Sequence, residues 1–261
     1  MTVILPQGYH NQHVLEAHRV FCMTRDDASR QDIRPLRIGI LNIMPNLENY
    51  EFNLLYALGR TILQIDPIWI KLESHSYGSS NPNHLDLHYA TFKEAIAEKH
   101  LDGLIVTGAP VGKIPFEEVH YWDEIESIFS YAQEHIPNTL GICWGGVAMS
   151  HYLGLKRTFY ETKHFGVYPG KNLNRKHPIT GDCDDIFSCP QSRFSKIDDQ
   201  ELEQWEKDGK IQLLAHGEES GYFIYATPND SFIMHLGHPE YNSGRILEEA
   251  ARDKKLQLDY V

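Results

Sequence analysis

Residues 138–150 read NTLGICWGGVAMS and decide the fold that the sequence predicts. The apolar start, as far as Ile142, is typical of a buried strand, and the small residues from position 145 onward begin a helix. Cys143 lies on the corner, where a tight strand-to-helix turn presents a side chain above the sheet. The first N–H groups of the helix favour a thiolate and can hold an oxyanion. A lone cysteine is more often a buried structural residue, but the neighbouring Gly141, Gly145 and Gly146 favour a nucleophile.

Strands and helices alternate through the first 150 residues. The predicted strands are 37–43, 67–72, 101–107 and 139–142, and the predicted helices are 47–63, 91–99 and 115–133. This alternation predicts an α/β fold with a mostly parallel sheet flanked by helices, of flavodoxin-like type. Ligands of such sheets bind at the carboxyl ends of the strands. Both residues 108–112 and Cys143 follow such ends, so we expect the site there.

The remaining segments complete a single predicted domain, residues 1–261. Residues 1–36 are mixed in character, with a helical pattern near 11–21, and are expected to wrap the sheet. Residues 154–200 are polar and are predicted to form an irregular substrate-site loop region. Strands follow near 211–214, 222–227 and 232–236, with a hairpin turn at 228–230, and a helix spans about 243–256.

Composition excludes several classes of function. The formal net charge is −12, which argues against a nucleic-acid surface. No apolar run is long enough to cross a membrane, and the first residues do not resemble a secretory signal, so a cytoplasmic location is expected. The 4 cysteines and 15 histidines form no HExxH or CxxC motif, and we therefore expect no metal site.

Two residues after the last predicted strand complete a catalytic set. His238 and Glu240, in the sequence GHPEY, lie at a strand's carboxyl end as Cys143 does. A cysteine nucleophile needs a base, and the base needs an acceptor that fixes its tautomer. The three residue types are present, although such pairing is spatial and the sequence alone does not bring them together.

Several sequence blocks resemble the homoserine O-acyltransferase family, which includes homoserine O-succinyltransferase and its acetyl-using relatives. The blocks occur in order and cover nearly the whole chain: IRPLRIGILNIMP (33–45), LQIDPIWI (63–70), DGLIVTGAPVGKIPFEEVHYW (102–122), LGICWG (140–145), KHFGVY (163–168), GDCDDIFSCPQSRF (181–194) and GHPEY (237–241). The family has the class I glutamine amidotransferase-like fold, which agrees with the predicted sheet.

The resemblance implies a ping-pong O-acyltransferase of methionine or cysteine biosynthesis. Cys143 would attack acetyl-CoA or succinyl-CoA as co-substrate, with no bound cofactor, and form an acyl-cysteine. His238 would then activate the hydroxyl of a small amino acid, with Glu240 orienting His238. The backbone N–H of Trp144 is the candidate oxyanion donor. The resemblance is also compatible with a homodimer.

The resemblance further implies an acceptor pocket. Its candidate residues are Lys163, Ser192, Arg193, Glu249 and Arg252. Glu249 and Arg252 are three residues apart, so they share one helical face and can bridge the amino and carboxylate groups of an acceptor. On their residue types alone, the same pair reads as a solvated ion pair.

Two positions bear on substrate choice. After Met44-Pro45 the family usually carries lysines, whereas this chain has Asn46 and Leu47, and some short members acylate L-serine. L-Homoserine is slightly favoured as acceptor, and L-serine is the alternative. Gly112 occupies the position that sorts acyl donors: glycine leaves room for a succinyl tail, whereas glutamate accompanies acetyl-CoA.

Two other functions fit the same fold. A glutamine amidotransferase-like hydrolase carries the elbow G-x-C-x-G-x-Q, but Val147 stands here in place of the glutamine. A non-catalytic binding module is the other alternative, because a fold does not guarantee activity.

Overall fold

A computed structural model describes residues 2–255. The chain divides into two compact units, Met1–Ile105 and Val106–Val261, which are described in turn. All candidate catalytic and acceptor residues belong to the second unit.

The first unit is built on parallel strand pairs. Its strands are β1 (Thr2–Ile4), β2 (Phe21–Met23), β3 (Leu36–Leu41), β4 (Gln64–Lys71), β5 (Tyr89–Thr91) and β6 (Gly103–Val106), the last ending at the boundary. The strand order is β2-β1-β4-β3-β6, and β5 pairs with β4. The helices are α1 (Gln12–Ala17), α2 (Arg25–Ser29), α3 (Leu47–Leu58), α4 (Pro82–His88) and α5 (Phe92–Glu98). The β3 strand is apolar because it is buried between neighbouring strands and helices.

The N-terminal segment differs from its prediction. Residues 1–36 do not only cover the sheet, because β1 and β2 add two strands to its edge beside β4. Each strand has three residues, too few for a periodic pattern to reveal.

The second unit joins a parallel pair to an antiparallel array. Its elements are α6 (Trp122–His135), β7 (Thr139–Ile142), α7 (Trp144–Leu153), β8 (Arg157–Asn172), β9 (Ile186–Ile197), α8 (Asp199–Lys207), β10 (Gln212–Gly217), β11 (Gly221–Ala226), β12 (Phe232–His235) and α9 (Ser243–Lys255). The strand order is β7-β12-β11-β10-β8-β9, with β7 and β12 parallel and the others antiparallel. The pairing of β7 with β12 brings the elbow and the GHPEY sequence to one sheet edge.

The prediction of an irregular region at 154–200 was wrong for most of its length. The structure forms a long antiparallel hairpin from β8 and β9. Apolar alternation is lost because several polar side chains of these strands are buried and hydrogen-bonded: Arg193 donates to Gln191 on β9, and His164 pairs with the Ser220 hydroxyl outside the hairpin. Residues 173–185 join the strands and account for the turn-like sequence.

The other predicted elements of the second unit are largely confirmed. The predicted helix 115–133 is a short 3-10 turn at Phe116–Glu118 followed by α6. The hairpin turn is closed by the Asp230 N–H, which donates to the Thr227 carbonyl at 2.9 Å. The terminal helix agrees with α9, and the predicted last residue, Leu256, lies outside the described residues. Within residues 2–255, the helices are too short or too polar to cross a membrane.

Candidate active site

Cys143 occupies a strained elbow between β7 and α7. Its backbone has φ +53° and ψ −112°, outside the regions that non-glycine residues favour. The Cys143 N–H donates to the His235 carbonyl at 2.8 Å, and the Val147 N–H donates to the Cys143 carbonyl at 3.1 Å. Such strain persists only where the surroundings enforce it, and it is common at catalytic sites.

Glycines make the elbow possible because the backbones approach too closely for a side chain. A Cβ on Gly145 would lie 2.3 Å from the Val106 carbonyl oxygen, and one on Gly141 would lie 2.6 Å from the backbone of Gly145. These are backbone contacts and cannot be relieved by rotating a side chain. The turn that holds Cys143 therefore requires glycine at both positions.

The structure places His238 and Glu240 beside the thiol, a proximity that the sequence alone does not show. The side chains of Cys143 and His238 lie close enough to interact electrostatically. The ring nitrogen Nδ1 of His238 lies 2.8 Å from Glu240 Oε1, and both side chains are almost fully buried. Glu240 thus accepts from Nδ1–H and leaves Nε2 for Cys143. The backbone fixes the ring further, since the His238 N–H donates to the Pro190 carbonyl at 2.8 Å.

The protonation of His238 depends on its two neighbours, Cys143 and Glu240. Burial on its own lowers the pKa of His238, but Cys143 and Glu240 outweigh it and raise the pKa well above the usual range of histidine. The arrangement therefore favours the protonated, imidazolium form of His238. Tyr241 stacks on the ring, with centroids 4.0 Å apart and planes at 19°, and excludes water from that face.

Trp144 contributes its backbone to the site. Its indole is buried and packs near Phe116 and Tyr121, with ring centroids 6.0 Å away in each case. Its N–H is the first of α7, and the first N–H groups of a helix have no acceptor within the helix. Because this N–H directly follows Cys143 in the chain, it remains the candidate oxyanion donor.

A bulge in the β8–β9 hairpin carries Lys163 inward. Phe159 pairs with Ser195 and His164 with Arg193, so residues 160–163 lie opposite the single residue 194. Bulges of this kind re-aim side chains next to active sites. On β9, the Ser192 carbonyl lies 3.6 Å from Cys143 Sγ and can accept from the thiol. The hairpin therefore borders the elbow directly.

Glu249 of α9 is the centre of the predicted acceptor residues. Its Oε1 accepts from Lys163 Nζ at 3.0 Å, from Ser192 Oγ at 2.5 Å and from Arg252 Nη2 at 2.7 Å. Burial alone would raise the pKa of Glu249, but Lys163, the Ser192 hydroxyl, His238 and Tyr241 lower it to about 2. Glu249 is therefore ionised, and its electrostatic interaction with His238 links the acceptor residues to the catalytic set.

Asp253 belongs to this group, although nothing in its local sequence predicts it. It is fully buried, and it accepts from Lys163 Nζ and from Arg252 Nε, the latter at 2.9 Å. Beside Arg252 on a polar helix it looks like a solvated acid, and only its contact with β8 distinguishes it. Arg252 itself keeps 47% of its side chain exposed and can still reach a ligand.

Arg193 lies near these acceptor residues, but its hydrogen bonds are made to other parts of the protein. It is buried, and its guanidinium donates to Gln191 Oε1 at 2.9 Å and to the carbonyls of Ser195 and Ser220 at 3.1 and 2.7 Å. Next to it, burial first and then the positive charges of Arg193 and Lys196 lower the pKa of His164 to about 4. These contacts fix β9 and hence the position of Ser192.

Gly112 lies on a loop that reaches the hairpin. An added Cβ would meet no atom within 4 Å, so the position opens onto free space. The next residue, Lys113, places its Nζ 4.1 Å from the centre of the Phe194 ring, and Lys163 Nζ lies 6.0 Å from the same ring. A side chain at position 112 would thus meet solvent or ligand rather than protein.

Comparisons with known proteins point to one family. A sequence model of the family described as homoserine O-succinyltransferase matches residues 2–260. Curated relatives include the homoserine O-succinyltransferase of Shewanella baltica (strain OS155), 37% identical over 260 residues, which are 99% of this chain and 82% of that protein. That of Shewanella pealeana is 35% identical over 254 residues, 97% of this chain and 80% of that protein. The resemblance seen in the sequence blocks and the acyltransferase class are confirmed.

Solved structures confirm the fold. A glutamine amidotransferase from Thermotoga maritima superposes with a TM-score of 0.58 at 14% identity, covering 87% of each chain. The glutaminase domain of Trypanosoma brucei CTPS gives a TM-score of 0.54 at 15% identity, covering 87% of this chain and 96% of the other. The predicted class I glutamine amidotransferase-like fold is therefore correct.

Proposed function

Because the chain belongs to the homoserine O-succinyltransferase family, we propose that it transfers an acyl group from acyl-CoA to the side-chain hydroxyl of a small amino acid through Cys143. The observation that carries the proposal is the half-buried Cys143 at a strained elbow beside the buried pair His238 and Glu240. L-Homoserine is the favoured acceptor, which belongs to methionine synthesis. L-Serine, which belongs to cysteine synthesis, is the alternative.

The first half-reaction begins when His238 has taken the proton of Cys143. The Cys143 thiolate attacks the thioester carbon, and the N–H of Trp144 stabilises the oxyanion. The C–S bond to CoA breaks, and the imidazolium of His238 donates its proton to the leaving thiolate. Free CoA and an acyl-cysteine result, with His238 neutral.

The second half-reaction follows from the change in charge. The thioester on Cys143 carries no negative charge, so one of the two groups that raise the pKa of His238 is gone, while burial still lowers it. Neutral His238 then takes the proton of the acceptor hydroxyl as its oxygen attacks the acyl carbon. The C–S bond breaks, and the thiolate and imidazolium are restored.

The acceptor residues suit a zwitterion. We assign the carboxylate of Glu249 to the amino group of the acceptor and the exposed guanidinium of Arg252 to its carboxylate. Lys163 and Ser192 hold Glu249 in place through their hydrogen bonds to Oε1. We assign Arg193 a positioning role, through β9.

The donor side favours a succinyl group. Position 112 is open, and Lys113 beside it supplies a cation for the free carboxylate of succinate. Among residues 2–255, the Cβ of a Gly112→Glu variant would meet no atom within 4 Å, so we expect its effect to be electrostatic. We expect it to reduce succinyl transfer at least tenfold and to leave acetyl transfer within a few-fold, because only succinate carries a charge to repel.

A small matrix of substrates tests the proposal. Succinyl-CoA and acetyl-CoA are each combined with L-homoserine and L-serine, and release of free thiol is followed, with a Cys143→Ala variant as the control. We expect acceptor-dependent thiol release in at least one combination and none from the variant. Absence of release in all four would refute the transferase proposal.

Separate assays address the other functions of this fold. Ammonia released from L-glutamine would favour the amidotransferase-like hydrolase, although the buried Val147 replaces the glutamine of that elbow. Binding of a substrate without any turnover would favour the binding module. Faster thiol release with L-serine than with L-homoserine would identify L-serine as the acceptor.

A further inference from the structure

A group of imidazoles surrounds a buried carboxylate in the first unit. Glu51 of α3 is fully buried. Its Oε1 lies 2.8 Å from His84 Nε2, and its Oε2 lies 3.6 Å from His10 Nε2. Two phenols also donate to it, Tyr9 to Oε2 and Tyr89 to Oε1, the latter at 2.7 Å.

A side chain buried as completely as that of Glu51 needs polar partners, since an isolated buried carboxylate is costly. Among residues 2–255, its ion-pair partners are His10 and His84. An imidazole compensates a carboxylate either by carrying a proton or by sharing a bound cation with it. The second arrangement uses neutral imidazole, the form that binds metals.

The geometry is close to that of a metal site. The ligand atoms of His10, Glu51 and His84 all lie within 4.8 Å of one another. Zinc bonds of about 2.0–2.1 Å in a tetrahedron place ligands roughly 3.4 Å apart, so small rotations of His10 and His84 suffice. Two histidines and one carboxylate, with an open position for water, are a known zinc and iron(II) donor set.

The surroundings supply the support that metal ligands need. Tyr9 and Tyr89 hold the carboxylate, and Asn42 Nδ2 donates to the Tyr89 hydroxyl at 3.0 Å. His10 keeps 39% of its side chain exposed, which leaves solvent access to the group. His88, four residues after His84 on α4, brings a further imidazole with its ring centroid 4.6 Å away.

We propose that His10, Glu51 and His84 bind one divalent transition-metal ion, with Zn²⁺ the best match to this donor set. The ion fastens the segment after β1, which carries His10, to α3 and α4. The expectation of no metal site rested on the lack of HExxH and CxxC. His10, Glu51 and His84 are far apart in the sequence, so neither motif could reveal them.

Titration of the metal-free protein with Zn²⁺ alone tests the proposal. We expect calorimetry to give one equivalent bound and Zn²⁺ to raise the melting temperature. His10→Ala removes an exposed ligand without disturbing the core. We expect it to weaken Zn²⁺ binding at least tenfold, because even the loss of a residue that only supports a metal ligand costs about 10-fold to 100-fold in affinity. His13→Ala, an exposed histidine on α1, is the matched control and should bind as the native chain does.

A second readout separates this site from surface binding. Co²⁺ in place of Zn²⁺ is expected to show visible d–d absorption typical of fewer than six ligands, and His84→Ala should abolish it. Equal Zn²⁺ affinity for the native chain and His10→Ala, or a Co²⁺ spectrum that His84→Ala leaves unchanged, would overturn the proposal. The histidines would then serve only as hydrogen-bond partners of Glu51.

Discussion

Replacing Lys163 by methionine removes the ammonium that pairs with two buried carboxylates. Lys163, Glu249 and Asp253 are each at most 5% exposed. Methionine keeps most of the apolar volume, so the variant isolates the charge. It leaves Glu249 and Asp253 with Arg252, which is half exposed, as their remaining cation on α9.

The structure sets the size of the expected effect. Breaking a buried ion pair by removing one partner costs about 3–5 kcal/mol. The fall in the pKa of Glu249 from 4.5 to about 2 corresponds to roughly 3 kcal/mol of favourable interaction. That interaction is shared by Lys163, Ser192, His238 and Tyr241, with Lys163 the largest favourable contributor. From the loss of the buried ion pair we expect Lys163→Met to lower the free energy of unfolding by about 3–5 kcal/mol at pH 7.

The pH dependence of this loss has a definite sign. The pKa of Glu249 is depressed in the folded state, so its stabilising contribution is present above its ordinary value and is lost as the pH falls. The native chain loses that contribution on acidification, whereas the variant has little of it to lose. The difference in the free energy of unfolding between the native chain and Lys163→Met should therefore decrease from about pH 5 toward pH 3.

Urea denaturation at several pH values measures the effect. Lys171→Met, an exposed lysine on the same strand, is the matched control and should change stability by no more than about 0.5 kcal/mol. The double variant of Lys163→Met with Asp253→Asn should recover at least half of the loss, because one uncompensated charge is gone. A loss below about 1 kcal/mol for Lys163→Met, or no recovery in the double variant, would refute the reasoning.

Other parts of the site give further expectations. Iodoacetamide near pH 7.5 should label Cys143 well before Cys189, since burial raises the pKa of Cys189 to about 12, and peptide mass mapping checks this. Gly145→Ala should abolish thiol release, because its Cβ would lie 2.3 Å from a carbonyl oxygen; normal turnover would contradict the tight elbow. Arg252→Ala should raise the acceptor KM at least tenfold and leave acyl-enzyme formation nearly intact, as steady-state and single-turnover kinetics would show. Equal damage to both half-reactions would argue against its assigned role.

The elbow and the strands around it could be predicted because local chemistry determines them. The apolar residues of β7 and the glycines after Cys143 leave few alternatives to a buried strand followed by a helix. His238 and Glu240 could be chosen by residue type and by their place after a strand. Their contact with Cys143 depends on the pairing of β7 with β12, which no local pattern shows.

The hairpin and the acceptor residues depend on interactions between distant residues. In the β8–β9 hairpin, polar side chains are buried because they hydrogen-bond within the protein, as Arg193 does to Gln191. The sequence of these strands is therefore polar and resembles that of a loop. Asp253 is buried only because Lys163 reaches it from another element. The imidazole group of the first unit likewise needs His10 and His84, which are far apart in the sequence.

The central claim is that Cys143 carries the acyl group. Intact-mass analysis after incubation with succinyl-CoA or acetyl-CoA, without any acceptor, tests it most directly. The account predicts one added succinyl or acetyl group per chain, located on the peptide that contains Cys143, absent from Cys143→Ala and discharged by the accepting amino acid. An unmodified chain with both donors, or an acyl group that remains in Cys143→Ala, would contradict it.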